Sequence, residues 1–407
     1  MNQQRNSFNK TPLLLAMMII ATGQVGVSIY LPSLPMISDA LSISRPDVQL
    51  IITLFLLSFG CSQLFYGPLS DAIGRRPVFL MGQGVYLLGT GLCWAFSDRF
   101  EILAAGRLLQ GLGAGSASVL GRSVLRDSYD GPNLTQAMSY LAMTASVIPV
   151  ISPVLGGWIA FHLGWQAVFG FVLFYLVGMV TLGWFLLPET LPYPKKRFAV
   201  QPVLADYWQL IRNPQVISSA SFNWLSYLAS VVSLSVLPFM MQNTLGLSSA
   251  DYGMTMIIPS AGLMLGSVSL NILNRYISTT HLLLLSSALI AVAGVWMIST
   301  PMTVVHLVSA FTLITVAQGL SFPLSISMLL APHKQHVGAV SALSGSIQMG
   351  LAGILGGAIV RYWVSGQATL GSFYLFVSLA MALVLLFSRS GVKQFESGYS
   401  VATMRSK

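Results

Sequence analysis

Residues 67–77 read GPLSDAIGRRP, a Gly-Pro pair followed by one acid and two arginines, in a chain where only 8% of residues are charged. What flanks this stretch decides the fold. Residues 46–66 before it and 77–96 after it are predominantly apolar. Each run is about twenty residues long, the length of helix that crosses the roughly 30 Å hydrocarbon core of a bilayer. Such runs must be helices, because open strands would leave backbone groups unpaired in lipid.

The same pattern extends outward in both directions. The chain has 407 residues, 55% of them hydrophobic, and its mean hydropathy is +0.75, well above that of soluble domains. Breaks in the pattern predict twelve spans, approximately 12–34, 46–66, 77–96, 100–122, 134–161, 165–187, 213–241, 250–273, 279–299, 303–330, 336–362 and 369–388. The first is too long for a signal-peptide core and lacks a convincing small-residue cleavage site, so it reads as a retained span. Cys61 and Cys93 both fall in apolar stretches, which implies neither a disulfide framework nor a metal cluster.

Orientation follows from the basic residues. With a cytoplasmic N-terminus, that side collects Arg5, Lys10, Arg75, Arg76, Arg122, Arg126, Lys195, Lys196, Arg197, Arg212, Arg275, Lys334, Arg389, Lys393, Arg405 and Lys407. The other side holds Arg45, Arg99 and Arg361, and Arg107 lies within a span. The positive-inside rule therefore places both termini in the cytoplasm. The net charge of +9 is accounted for by anionic lipid headgroups, with no nucleic-acid partner implied.

The longest polar interruption, Pro188 to Pro214, divides the spans six and six. It predicts an N-terminal bundle over 1–187, a cytoplasmic linker over 188–212 and a C-terminal bundle with a tail over 213–407. Within the linker, VLADYWQLI (residues 203–211) has the composition of an amphipathic interfacial helix. Short matches recur across the halves in the same order: LGG at 155–157 and 355–357, QGL at 110–112 and 318–320, and Asp71, Gly74 and Arg75 against Asn271, Asn274 and Arg275. Repeated halves that face one another are how many secondary transporters build a central site.

The opening stretch then lies in the loop between spans two and three. Gly67 and Pro68 end a helix, Gly74 permits a tight turn, and Asp71 with Arg75 and Arg76 supplies charges for each other or for a neighbouring helix end. Positive-inside anchoring explains the arginines but leaves Asp71 and the glycines without a role. Arg107 lies deep in span four, where a charge costs about 2.5–3.5 kcal/mol on insertion scales, so it faces a bundle interior or cavity and needs partners. Gln110 is one turn away. Either Arg107 is a structural hydrogen-bond hub or its charge responds to proton or substrate occupancy. In span five, Pro149 and Pro153 remove backbone donors and can bend the helix, while Gly156 and Gly157 allow close approach of another helix.

GPLSDAIGRRP resembles the loop signature of the major facilitator superfamily, RLLQGLGAG (107–115) resembles its fourth-helix signature, and PVISPVLGG (149–157) resembles its fifth-helix antiporter signature. Pro188-Glu189-Thr190 resembles the family's usual end of helix six. GQVGVSIYLPSLP and SQLFYGPLSDAIGRRPV are most similar to the EmrD-type multidrug resistance proteins of the Bcr/CflA drug-export group. The resemblance implies an all-α polytopic fold of two pseudo-symmetric six-helix bundles. It also implies a conformational latch at Gly67, Asp71, Gly74, Arg75 and Arg76, and an antiporter motif at Pro149, Pro153, Gly156 and Gly157. Many transporters of that group carry an acid just before the first-helix Tyr-Leu-Pro; here Ser28 stands in that neighbourhood. Asp39, Glu101 and Asp251, all near outer helix ends, remain as proton-carrier candidates.

Gln24, Tyr30, Tyr140, Met143, Asn223, Trp224, Tyr227 and Gln348 are polar, aromatic or flexible residues within spans that could line a central cavity for amphipathic molecules. His306 reads as an interfacial histidine, and the H-x-x-H of His333 and His336 lacks the further ligands that a metal site needs. The GQG at 82–84 falls inside a span and is no dinucleotide loop, and the phosphate-binding pattern G-x-x-x-x-G-K-[ST] does not occur. No cofactor, metal or enzymatic activity is expected. The expected function is proton-coupled export of amphipathic small molecules by a monomer in a bacterial inner membrane, with protons and lipids as the other partners. A transporter of one metabolite and a non-transporting receptor or scaffold are the alternatives, the latter leaving the repeat unexplained.

Overall fold

The computed structural model describes residues 10–191, 200–332 and 337–388. Outside them lie His333 and His336, as do Arg5, Lys195, Lys196, Arg197, Lys334, Arg389, Lys393, Arg405 and Lys407. Among the described residues the chain is helical throughout, without strands. In order the helices are α1 Lys10–Ser28, α2 Leu34–Leu41, α3 Arg45–Ile73, α4 Arg75–Ala95, α5 Phe100–Ser128, α6 Gly131–Leu163, α7 Trp165–Leu186 and α8 Val200–Ile211. They continue as α9 Pro214–Phe239, α10 Ser249–Thr255, α11 Ile257–Leu273, α12 Thr279–Ser299, α13 Val304–Leu330, α14 Val337–Tyr362 and α15 Gln367–Phe387.

Eleven of these segments are long and apolar enough to cross a membrane. The exception among the expected twelve is α5, and its packing explains its composition. It is wedged against α1, α3 and α4, and Gly106, Arg107, Gln110, Gly111, Gly113 and Ser116 are all buried. A helix that meets protein on most sides does not need the apolar surface that lipid demands of its neighbours. The outward faces of the other helices carry that surface instead: Phe174, Phe185 and Phe387 are 81%, 78% and 87% exposed. Side chains of that kind are stable against acyl chains and a liability in water. The chain is a multi-pass membrane protein.

Three of the expected spans differ at their prolines from the sequence reading. The first, expected as one helix over 12–34, breaks at Ile29 and Tyr30 into α1, a 3₁₀ turn at Leu31–Ser33 and α2, because Pro32 and Pro35 cannot donate to the preceding turn. The eighth breaks at Met256 into α10 and α11, since Pro259 has no N–H for the Thr255 carbonyl. The second departs in the opposite sense. Gly67 and Pro68 do not end α3, which continues through Pro68 to Ile73. The chain turns only at Gly74, whose φ of +120° is a conformation other residues rarely adopt.

Helices α1 and α3–α7 form one packed group and α9 and α11–α15 a second, although α14 packs more on α3 of the first group than on its own neighbours. The two groups meet where α3 packs along α14 and where α6 packs on α10 and α11. The repeated LGG segments occupy matching places in this contact. A Cβ on Gly157 would collide with the Ser249 carbonyl of α10, and one on Gly357 with the Thr53 hydroxyl of α3. Beside them Gly156 faces Ile29 at the end of α1, and Gly356 faces Leu228 and Val232 of α9.

Candidate functional site

Two polar centres and one close helix contact form the candidate machinery. The first centre is the loop quoted at the outset. The Arg75 guanidinium, almost fully buried, donates from Nη1 to Asp71 Oδ1 at 2.6 Å and to Ser70 Oγ at 2.6 Å. From Nε it donates to Asp127 Oδ2 at 2.8 Å. Its backbone N–H donates to Glu189 Oε1 at 2.8 Å, which also accepts from the Leu191 N–H at 3.0 Å. One arginine thus ties the ends of α3, α5 and α7 together. Two carboxylates and a hydroxyl offset the cost of taking the guanidinium out of water, so losing either acid leaves a buried charge poorly compensated. Gly74 fits because a Cβ there would run into the Glu189 carboxylate.

The structure separates the residues expected to share this loop. Arg76 leaves the acids and donates to the Trp184 carbonyl of α7, with its guanidinium 6.0 Å from the Trp184 ring. Gly67 lies inside α3, one side facing Val119 of α5. Asp127 was not foreseen. Only 11 residues of the chain are acidic, so a carboxylate beside Arg126 at the end of a span was a signal in itself.

The second centre is Arg107, 1% exposed. Its guanidinium lies between two rings, 3.8 Å from the centroid of Tyr30 and 4.2 Å from that of Phe55. Nη1 donates to Gln110 Oε1 at 2.6 Å, and Gln110 Nε2 donates in turn to Thr90 Oγ1 at 2.8 Å. Longer contacts reach the Gly26 carbonyl at 3.4 Å and the Ile51 carbonyl at 3.4 Å. Gly26 belongs to the last turn of α1, where the helix stops and its final carbonyls lack intrahelical partners. A cation there meets the negative end of the helix dipole, and two aromatic faces add about 2 kcal/mol each when water is excluded. Among the described residues no carboxylate pairs with it.

The close contact lies in α6. Ser249 Oγ donates to the Gly157 carbonyl at 3.1 Å, and Gly253 lies against the Pro153 carbonyl with no room for a Cβ. Pro149 and Pro153 are both inside a helix that stays continuous to Leu163. Pro153 brings its carbonyl against α10, and Gly156 brings α6 against the broken end of α1.

The cavity candidates divide. Tyr30 is part of the Arg107 centre, and Tyr227, half-buried, reaches across to Met349 Sδ at 3.5 Å. Asn223 Nδ2 donates to Gln348 Oε1 at 2.8 Å, and Trp224 Nε1 donates to the Ser344 carbonyl at 3.0 Å, so these three tie α9 to α14. Asn223 Oδ1 is buried without a partner. Gln24 is half-buried on α1, and its carbonyl accepts from Ser28 Oγ at 3.2 Å. Tyr140 and Met143 are not brought to this group. They are 38% and 53% exposed and share a helical stripe with Ile151 and Trp158, also exposed.

The three outer acids Asp39, Glu101 and Asp251 are all exposed. Asp251 is engaged in a helix cap, accepting from Ser248 Oγ at 2.6 Å. His306 Nδ1 donates to the Pro301 carbonyl at 3.0 Å beside Trp296. A groove of about 680 Å³ opens near Arg45, Phe239, Asn243 and Gln367, and none of the cavity candidates lines it.

The sequence is similar to proteins of known type. The family model described as Major Facilitator Superfamily matches residues 13–357. Multidrug resistance protein D of Escherichia coli strain K12 is 29% identical over 394 residues, covering 95% of this chain and 97% of that protein. Multidrug resistance protein MdtL of Escherichia coli O81 is 24% identical over 372 residues, covering 91% of this chain and 92% of that one. Its counterpart in Shigella flexneri serotype 5b is matched to the same extent.

Proposed function

Since the chain belongs to the major facilitator superfamily, we propose that it is a secondary active multidrug efflux transporter, exporting amphipathic small molecules by alternating access in exchange for protons. One observation carries this reading: relatives named as multidrug resistance proteins match the chain almost from end to end. The geometry supports it. A latch at Asp71, Arg75 and Asp127 holds three helix ends at one side of the membrane, while Arg107 lies at a break in α1, the kind of discontinuous helix around which transporters place substrate sites.

The protein works as a monomer in the inner membrane of a bacterium, surrounded by lipid, with both termini and the Asp71 loop in the cytoplasm. Residues 1–187 and 213–407 are the two moving bodies and 188–212 their tether. Packing of α3 on α14 and of α6 on α10 closes the side away from Asp71, leaving the protein in an inward-facing or occluded state. Pro149, Pro153, Gly156 and Gly157 form the contact that parts when the other side opens. Tyr30, Tyr227, Asn223, Trp224, Gln348 and Gln24 offer aromatic faces and a few hydrogen bonds to substrates of varied shape. No ATP-binding pattern supplies another energy source.

Ethidium accumulation tests the reading directly. Cells that lack their main efflux pumps and express this protein should hold less ethidium than cells with the empty vector, and a protonophore should abolish the difference. Equal accumulation in the two strains for ethidium and other amphipathic cations and anions would contradict it.

A further inference from the structure

The Tyr207 hydroxyl donates to the carbonyl oxygen of Leu64 across 3.1 Å. Leu64 precedes Pro68 by four residues, and Pro68 has no N–H to give that carbonyl its normal helical partner. The acceptor that the proline frees inside α3 is therefore satisfied from another element, the linker helix α8. Tyr207 is only 6% exposed, whereas Leu204, Trp208 and Ile211 on the same helix are 53%, 58% and 41% exposed. Leu210 packs onto a cluster of Val216, Ala220, Trp224, Leu329 and Val340, and α8 also touches α14. The linker helix is thus seated on the second group of helices and reaches back to the first with the Tyr207 hydroxyl. Its target lies two turns before Asp71.

We propose that Tyr207 is a positioning residue of the transport cycle: it fastens the linker to the carbonyl that Pro68 frees in α3 and stabilises the states in which the two groups of helices are closed on the Asp71 side. Burial and the neighbouring Asp206 push the Tyr207 pKa up to about 12, so the hydroxyl remains a donor at every pH at which a bacterium grows. When the halves rock open on the Asp71 side, α3 moves away from α8, and the contact has to break. Its loss therefore favours opening on that side, with the far side closed. The inference rests on alternating access, but it is read by thiol labelling, so a failed transport assay and a failed labelling assay are distinguishable.

The test uses the full chain in lipid nanodiscs, with Cys61→Ala and Cys93→Ala removing the native thiols and Ser249→Cys supplying a probe. Ser249 is buried against Gly157, so a polar maleimide reaches the thiol only when that contact parts. A hydrogen bond of ordinary net strength predicts that Tyr207→Phe slows labelling about 2- to 10-fold. Pro68→Ala restores the missing N–H within α3, and in that background Tyr207→Phe should add no further change. Unchanged labelling in the single variant would overturn the proposal. So would an equal slowing whether Pro68 is kept or replaced, which would show that the hydroxyl does not act through the Leu64 carbonyl.

Discussion

At the residue scale the burden falls on two arginines with different company. Arg75 has two carboxylates and lies near the membrane surface; Arg107 has none and lies within the bundle, held by carbonyls, an amide and two ring faces. A guanidinium so placed keeps its proton and cannot itself be the proton carrier, so its contribution is electrostatic or structural. Arg107→Lys keeps the charge near the end of α1 but loses the planar stack and the fork; Arg107→Gln removes the charge and leaves Gln110 Oε1 without its donor, at a cost of about 1–3 kcal/mol. If Arg107 couples transport to proton movement, the lysine variant should retain measurable transport and the glutamine variant should lose it at normal membrane levels. Lower melting temperatures in both, with transport per folded molecule unchanged, would reduce Arg107 to a structural hub. At the other centre, Asp127→Asn should impair transport as much as Asp71→Asn, because both carboxylates hold the same guanidinium. The Asp71 side chain is 42% exposed and that of Asp127 only 9%, so the unforeseen residue is the better shielded partner. Normal transport by the Asp127 variant would remove it from the latch.

The elements show what the sequence could and could not convey. Span number and approximate position were legible because hydrocarbon imposes one length and one composition on every lipid-facing helix. Continuity was not. Pro68 and Pro153 lie inside unbroken helices while Pro32 and Pro259 coincide with breaks, and what separates the cases is tertiary: the carbonyl freed by Pro68 finds Tyr207. The site was legible where residue type alone is informative, as for Arg107 and the LGG repeat. It was not legible where facing matters: Tyr140 and Met143 have the chemistry of cavity residues and point away from the buried polar group. The contact at Gly157 yields an element-scale prediction. Gly157→Leu should block conformational exchange and transport while the protein still inserts, because the new side chain has nowhere to go between α6 and α10. Gly178→Leu, with nothing within 4 Å of its Cβ position, is the matched control and should transport normally. Equal transport by the two variants would mean that the α6–α10 contact is not tight.

On the scale of the whole molecule, the halves are joined by a series of contacts away from the Asp71 loop. Thr53 Oγ1 donates to the Gly353 carbonyl at 3.0 Å, Gln242 Nε2 to the Pro32 carbonyl at 2.8 Å, and Ser249 Oγ to the Gly157 carbonyl at 3.1 Å. Each is a single neutral bond worth about 1 kcal/mol net. Bonds of that size can be exchanged for others when a proton or substrate binds. The central claim is that this exchange couples outward drug movement to inward proton movement. Purified protein in proteoliposomes loaded with a pH-sensitive dye tests it most directly, with an imposed proton gradient and an amphipathic cation such as tetraphenylphosphonium on the side that models the cytoplasm. The account predicts that adding the cation accelerates decay of the gradient, and that the gradient in turn drives the cation to the proton-rich side. Cation flux that ignores the gradient, with a gradient that ignores the cation, would contradict it.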